Sequence, residues 1–387
     1  MKLILSEPSV VVQCPEVYDI DKIPWGEYQF PKIDLTDDGR FHVKYYVSED
    51  SATAFGKPLA HAISSDGGKT WLHVNEDEGY TAGVFLKDGS AVRCYNLRKA
   101  IRLDKNKEYF AKIGEPDDEI VFWCEPSYMY YSHRLGDYSW DIEKKKQGGE
   151  WHKLYFDLKL PENHARYTSQ GVMPYNNIEH LKVAPDGKLW ALSYPFFING
   201  YNGKSVNQPV FMVSEDNGET FKYRSTIPYQ PIPEADKLYA VRDGFTEPDV
   251  AFLPNGEMIC IMRTQDGNGN GPTYISRSAD EGYTWSKPEI FDNLGVWPNL
   301  VTLPCGVTIV IYGRPGIYLR ATADPEGKIW EDRVTVIDPE VDSCCNASIV
   351  VTGENTASFV YTHFTYPDND GIPRKTILYR SLEVIFE

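Results

Sequence analysis

One eight-residue pattern, repeated along the chain, limits what this sequence can become. Ser64-Ser65-Asp66-Gly67-Gly68-Lys69-Thr70-Trp71, Ser214-Glu215-Asp216-Asn217-Gly218-Glu219-Thr220-Phe221 and Ser278-Ala279-Asp280-Glu281-Gly282-Tyr283-Thr284-Trp285 all read S-x-D-x-G-x-T followed by an aromatic residue. This is the signature of a tight β-hairpin turn. Aspartate accepts hydrogen bonds from turn amides, glycine adopts backbone angles closed to other residues, and the ring packs back between strands. A fourth copy, Thr322-Ala323-Asp324 through Gly327 to Trp330, is degenerate and one residue longer. A turn that recurs in this way implies a repeated all-β unit.

A second repeat supplies the number of units. Six times an alternating apolar run crosses a turn and continues as a second β run, with turns at Gly39, Gly89, Gly187, Gly256, Gly306 and Asn355. The intervals are 50, 98, 69, 50 and 49 residues. Six sheets, each opening on such a hairpin, predict an all-β six-bladed propeller. The long second interval predicts an insertion at about 100–165 within one domain spanning 1–387. Residues 3–13 form a lone strand, and the last blade (345–387) has room for three strands only. The N-terminal strand is therefore expected to complete that blade and close the ring, removing sheet edges.

Composition narrows the partners. Net charge is −17, which argues against nucleic acid or an anionic membrane. Aromatic residues make up 13% of the chain, with 26 Tyr and 9 Trp, a content that suits sheet packing and sugar-stacking surfaces. The N-terminus, MKLILSEPSVVVQCPEVYD, reads as a strand and not as a signal peptide. Seven cysteines, including the adjacent Cys344 and Cys345, lack framework or CxxC spacing. Reduced thiols and a cytoplasmic location are expected, with no cofactor and no metal site.

The fourth unit carries a family resemblance. The repeated turn is the Asp-box, and Thr246-Glu247-Pro248-Asp249-Val250 through Leu253-Pro254-Asn255-Gly256 to Met262-Arg263 resembles the Glu-Pro…Asp-Gly…Met-Arg segment of the sialidase superfamily. The resemblance implies that Glu247 is a catalytic carboxylate and that Arg263 belongs to a substrate-binding arginine set. Arg314, at the matching strand end one blade later, is a second arginine of that set. The chain departs from the family at three points, its first arginine, its nucleophilic tyrosine and its acid/base aspartate. Gln29 stands in Gln29-Phe30-Pro31 where the family has its first-blade arginine, and Asn346 stands where its nucleophilic tyrosine falls, with Cys345 and Ala347 beside it. No carboxylate lies in Ala54–His61 ahead of the first turn, although Glu49 and Asp50 lie further back. The sequence is that of a divergent member.

Inner strands of a propeller start at one face around the axis, so residues eight to ten positions before each turn should line one pocket. These are Gln29-Phe30-Pro31, Gly79-Tyr80-Thr81, Asn177-Ile178-Glu179, Thr246-Glu247-Pro248, Val296-Trp297-Pro298 and Cys345-Asn346-Ala347. Glycoside cleavage needs two carboxyl groups, one protonated and one ionised. Glu247 and Glu179 begin inner strands of neighbouring blades and are the candidate pair. Glu179 is otherwise a hydrogen-bond partner of the substrate or a structural residue. Arg263 either binds substrate or is a buried partner of Glu247. Gln29, Tyr80, Asn177, His61, Trp297 and Asn346, with Tyr175 and Asn176, supply polar and stacking groups for a sugar. In a regular strand His180 points away from the pocket.

The leading expectation is a sialidase-like glycoside hydrolase that removes terminal sugars from small oligosaccharides. A lyase acting on uronate-containing chains is the alternative, with Arg263 and Arg314 neutralising the uronate while Tyr or His takes a proton. A non-catalytic sugar-binding propeller is the third. Fold alone does not choose among them.

Overall fold

The computed structural model describes all residues except 20–22, 24, 37, 49–58, 75–82, 95–99, 104–118, 125–126, 133–141, 155–163, 166–177, 179, 266–270 and 387. Among the described residues the regular elements are all strands, grouped into six blades around one axis. The inner strands are Gln29–Leu35, Val84–Phe85, His180–Val183, Gly244–Phe252, Val296–Thr302 and Ala347–Val351. Each pairs antiparallel with the next strand in sequence: Phe41–Tyr46, Ala91–Cys94, Leu189–Ser193, Met258–Gln265, Thr308–Gly313 and Thr356–Pro367. The six hairpins are those expected from the repeat. Gly39, Gly89, Gly187, Gly256 and Gly306 sit in their turns at φ between 78° and 94°, where a side chain would be strained.

The ring closes through the chain termini, as expected. Lys2–Leu5 and Ser9–Gln13 both pair with the C-terminal strand Pro373–Ile385, in the registers Lys2 to Ile385 and Ser9 to Tyr379. The last blade thus takes its outer strand from the opposite end of the sequence. Blade two contains residues that were expected inside the insertion. Its third strand, Ile142–Lys145, pairs directly with Ala91–Cys94, so the excursion leaves after Cys94 and has returned by Ile142. Within it Ala100–Leu103, Glu119–Cys124 and Ser127–Ser132 form a separate three-stranded sheet.

The repeated turns join the third and fourth strands of their blades. In the first, Ser64 Oγ donates to Asp66 Oδ1 (2.8 Å) and accepts the Gly68 amide (2.8 Å), while Asp66 accepts the amide and hydroxyl of Thr70 at 2.9 and 2.7 Å. The same four bonds recur in the copies at Asp216 and Asp280. The second half of each turn packs on the preceding blade. A Cβ on Gly218 would lie 2.7 Å from Val92, and one on Gly282 would lie 2.5 Å from the Trp190 ring. Glycine there is a packing requirement as well as a backbone one.

Five blade-to-blade seams are apolar clusters, exemplified by Trp190, Phe211, Phe245 and Tyr274 between blades three and four. The seam between blades one and two differs. Blade one turns Lys32, Asp34, His42, Lys44 and His61 toward it, in the registers Lys32 to Lys44, Asp34 to His42 and Lys44 to His61. Blade two answers with Arg93 and Glu143, paired at 2.6 Å.

At the axis the exposed edges of the inner strands are capped by side chains of the preceding blade. Asp249 Oδ2 accepts the Leu300 amide (2.7 Å), Asn299 Oδ1 accepts the Ile349 amide (2.9 Å), and Ser348 Oγ accepts the Ile33 amide (3.3 Å). These bonds satisfy edge amides that have no strand partner and fix blades four, five, six and one in one register.

Candidate functional site

The site is shaped by a local rule that repeats at the mouth of the channel. Phe30, Glu247, Trp297 and Cys345 all adopt left-handed backbone angles, at φ 53°, 49°, 50° and 61°. In blades one, four and five this residue falls in a β-bulge. The inner strand takes three steps against two on its partner between Gln29 and Lys32, Thr246 and Asp249, and Val296 and Asn299. Such angles cost non-glycine residues about 1–3 kcal/mol each and collect where function demands them.

Glu247 is the best-positioned group. Its Oε1 accepts from Arg263 Nη1 (2.8 Å) and its Oε2 from the backbone amide of Trp297 (2.8 Å), a bond made across two blades. Arg263 lies opposite Thr246 on the second strand of the same blade, and both side chains of the pair are largely buried, at 13% and 11% exposure. The pair is charge-assisted and fixes the carboxylate in one orientation. Of the two roles expected for Arg263, the structure shows the carboxylate partner.

Beside Glu247, the Trp297 ring is flanked by two groups from other blades. The His180 ring lies 5.9 Å away and Lys32 Nζ lies 5.3 Å from the indole centroid. Blades three, five and one meet only across the channel, so His180 faces the axis. The expectation that it points away is corrected. Burial, reinforced by Lys32 and Lys182 and opposed by Asp249, lowers the His180 pKa to about 3 and keeps the imidazole neutral. One layer below, Lys182 Nζ spans from blade three to Asp249 Oδ2 (2.8 Å) and the Leu300 carbonyl (2.6 Å). Asp249 also accepts from Asn299 Nδ2 at 3.0 Å. Lys32, Lys182, Asp249 and Asn299 are further site residues that the sequence did not single out.

The other expected residues distribute unevenly. Trp297 is at the centre of the site. Arg314 follows the second strand of the same blade, its Nη2 donating to the Cys344 carbonyl (2.6 Å) and its guanidinium 5.5 Å from the Trp25 ring. Gln29 is fully buried, with Oε1 accepting the Gly26 amide and Nε2 without a partner among the described residues. His61 lies on the third strand of blade one, buried in the polar seam, where its Nδ1 meets His42 Nε2 at 2.9 Å. Asn346 follows Cys345 and is 6% exposed. Burial, with Cys344 beside it, raises the Cys345 thiol to about 12, which favours the neutral thiol. Glu179, Tyr80, Asn177, Tyr175, Asn176, Glu49 and Asp50 lie outside the described residues. Among the described residues no group of three His, Cys, Asp or Glu side chains could hold a metal.

Comparison with solved structures places this arrangement in a known architecture. The chain superposes on a protein of unknown function from Dyadobacter fermentans with a TM-score of 0.66 at 16% identity, covering 99% of both chains. It matches the NanB sialidase of Streptococcus pneumoniae with a TM-score of 0.54 at 13% identity, over 98% of this chain and 71% of that one. The chain has the sialidase-type propeller fold. An α-L-arabinofuranosidase of Fusarium graminearum matches equally, with a TM-score of 0.53 at 13% identity over 97% of each chain. No protein-family model and no curated protein matches the sequence. The sialidase-type fold therefore spans neighbours named for different sugars, and at these identities the likeness is one of architecture.

Proposed function

We propose that this propeller is a glycoside hydrolase that removes terminal sugars from small oligosaccharides or glycosides, with Glu247 as its oriented carboxylate. One observation carries the reading. Glu247 is held at a strained backbone position, at the mouth of the channel, with a donor on each carboxylate oxygen. A buried carboxylate is costly to place, and strain adds to the cost, so this arrangement points to chemistry. A carboxylate in a fixed orientation suits attack on an anomeric carbon, activation of water, or stabilisation of an oxocarbenium-like transition state. Trp297 presents an indole beside it, and the neutral His180 and cationic Lys32 border the same space. The proton donor in this reading is a second carboxyl group, with Glu179 the first candidate and Glu49 and Asp50 the others.

The test is turnover of a broad panel of aryl glycosides and oligosaccharides by the wild type, Glu247→Gln and Glu179→Gln. Loss of 10²-fold or more in kcat is expected for Glu247→Gln, the scale of removing one catalytic group. Turnover indifferent to Glu247→Gln would sink the assignment. An unsaturated uronide as product would replace it with the lyase reading.

A further inference from the structure

Around the mouth from Glu247, blades six and one carry a row of aromatic side chains that the catalytic reading does not use. Trp25, in the segment entering the first inner strand, is 43% exposed yet wedged in place. Its ring meets Phe30 at 6.2 Å and 71°, and Phe364 at 5.9 Å and 83°. Phe30 in turn meets Tyr46 at 5.3 Å and 82°, and Tyr46 is 37% exposed. All three contacts are edge-to-face, the geometry that aromatic quadrupoles favour. Arg314 sits 5.5 Å from the Trp25 ring and is itself tied to the Cys344 carbonyl. The indole is thus fixed from three sides, while much of its surface stays open.

Its place in the fold connects it to Glu247. Phe30 is the left-handed residue of blade one, the counterpart of Glu247 in blade four and Trp297 in blade five, so the row stands at the same end of the channel. Two residues after Phe30, about 7 Å along the strand, Lys32 reaches Trp297, whose amide holds Glu247. Lys32 thus links the row to the axial site at the mouth.

We propose that Trp25 is a stacking platform for a second sugar ring, so that the site takes an oligosaccharide spanning Glu247 and Trp25 instead of a single sugar. The inference rests on the glycosidase reading and specifies its substrate as a chain of at least two rings. The C–H face of a sugar is apolar and weakly positive, and the face of an electron-rich indole is its complement. Immobilisation of Trp25 before the ligand arrives removes the entropy cost of ordering it on binding. Trp25 belongs to none of the five apolar clusters between blades.

The test uses the full chain carrying Glu247→Gln, screened on a broad array of immobilised oligosaccharides and then titrated calorimetrically with the best-bound oligosaccharide and its own terminal monosaccharide. The ratio of the two affinities should fall roughly tenfold with Trp25→Ala and much less with Trp25→Phe. Ligand-induced change in tryptophan emission should also diminish in Trp25→Phe, although eight of the nine tryptophans remain. Unchanged melting temperatures would show that the partly exposed site tolerates both substitutions. An affinity ratio untouched by Trp25→Ala refutes the platform and leaves the glycosidase reading standing. No binding to any oligosaccharide, together with no turnover by the wild type, refutes both.

Discussion

Acidification should destabilise this fold through its buried histidines, in a window set by the polar seam. His42 and His61 are 0% and 7% exposed and hydrogen-bond each other at 2.9 Å, with Lys44 beside them and Arg93 facing His61. Burial, aided by His61 and Lys44, lowers the pKa of His42 to about 3, and burial, aided by Lys44 and Arg93, lowers that of His61 to about 4. The unfolded chain titrates its histidines near 6.5. Above that pH both states hold neutral imidazoles and the pair contributes no pH dependence. Below it the unfolded chain binds protons that the native state refuses, so stability falls by about 1.4 kcal/mol per pH unit for each histidine. From pH 7 to 4.5 the loss is about 5 kcal/mol for the pair, a large part of the roughly 5–15 kcal/mol available to a domain. Carboxylates held low in the native state, such as Asp66 at about 2, lose their contribution only below about 4, beneath this window. Urea midpoints at pH 7, 5.5 and 4.5 measure the slope. His42→Gln keeps a hydrogen-bonding group for His61 and removes one titrating site, so it should flatten the slope by about 1.4 kcal/mol per pH unit. Parallel slopes for the variant and the wild type would refute the assignment.

Two further predictions concern what binds the blades. Gly282 has φ 73° and a Cβ there would lie 2.5 Å from Trp190, whereas Gly256 has φ 88° with nothing within 4 Å. Gly282→Ala should therefore cost about 1–3 kcal/mol more than Gly256→Ala by chemical denaturation, the excess being overpacking against the neighbouring blade; equal costs would refute the packing argument. Lys182→Met leaves Asp249, which is fully buried, without its cation and should cost about 3–5 kcal/mol. Adding Asp249→Asn should recover part of that loss, and strict additivity in the double-mutant cycle would show that the two side chains do not act as a pair.

The fold was legible in the sequence because its signals are local. The turns at Gly39, Gly89, Gly187, Gly256 and Gly306 require backbone angles that glycine supplies, and in each Asp-box the glycine amide donates to the leading serine, so these signals sit within a few residues. Ring closure was legible by counting, since Lys2–Leu5 lacked a neighbour and the last blade lacked a strand. The polar seam was not. His42 and Glu143 lie 101 residues apart, with His61 and Arg93 between them, and each alone reads as an ordinary strand residue. Only the stacking of blade one on blade two reveals that they share a face.

The site was half legible for a related reason. Alternation along a strand assigns faces only while the pleat is regular, and one extra residue exchanges the two faces. The bulges at Phe30, Glu247 and Trp297 insert that residue at the mouth, immediately before the axial positions Lys32, Asp249 and Asn299. Glu247 was found because its motif carries it without any appeal to facing. Lys32 and Asn299 were missed because the count was taken through the bulge, and His180 was assigned away from the pocket by the same rule, although its ring packs against Trp297. The bulge also explains why the arrangement is worth its strain. A regular strand would hold residue 247 on the face it shares with Asp249 and Ala251, turned toward blade five. The left-handed turn of the backbone lets the same blade present a carboxylate at the mouth and, two residues later, a buried latch to the next blade.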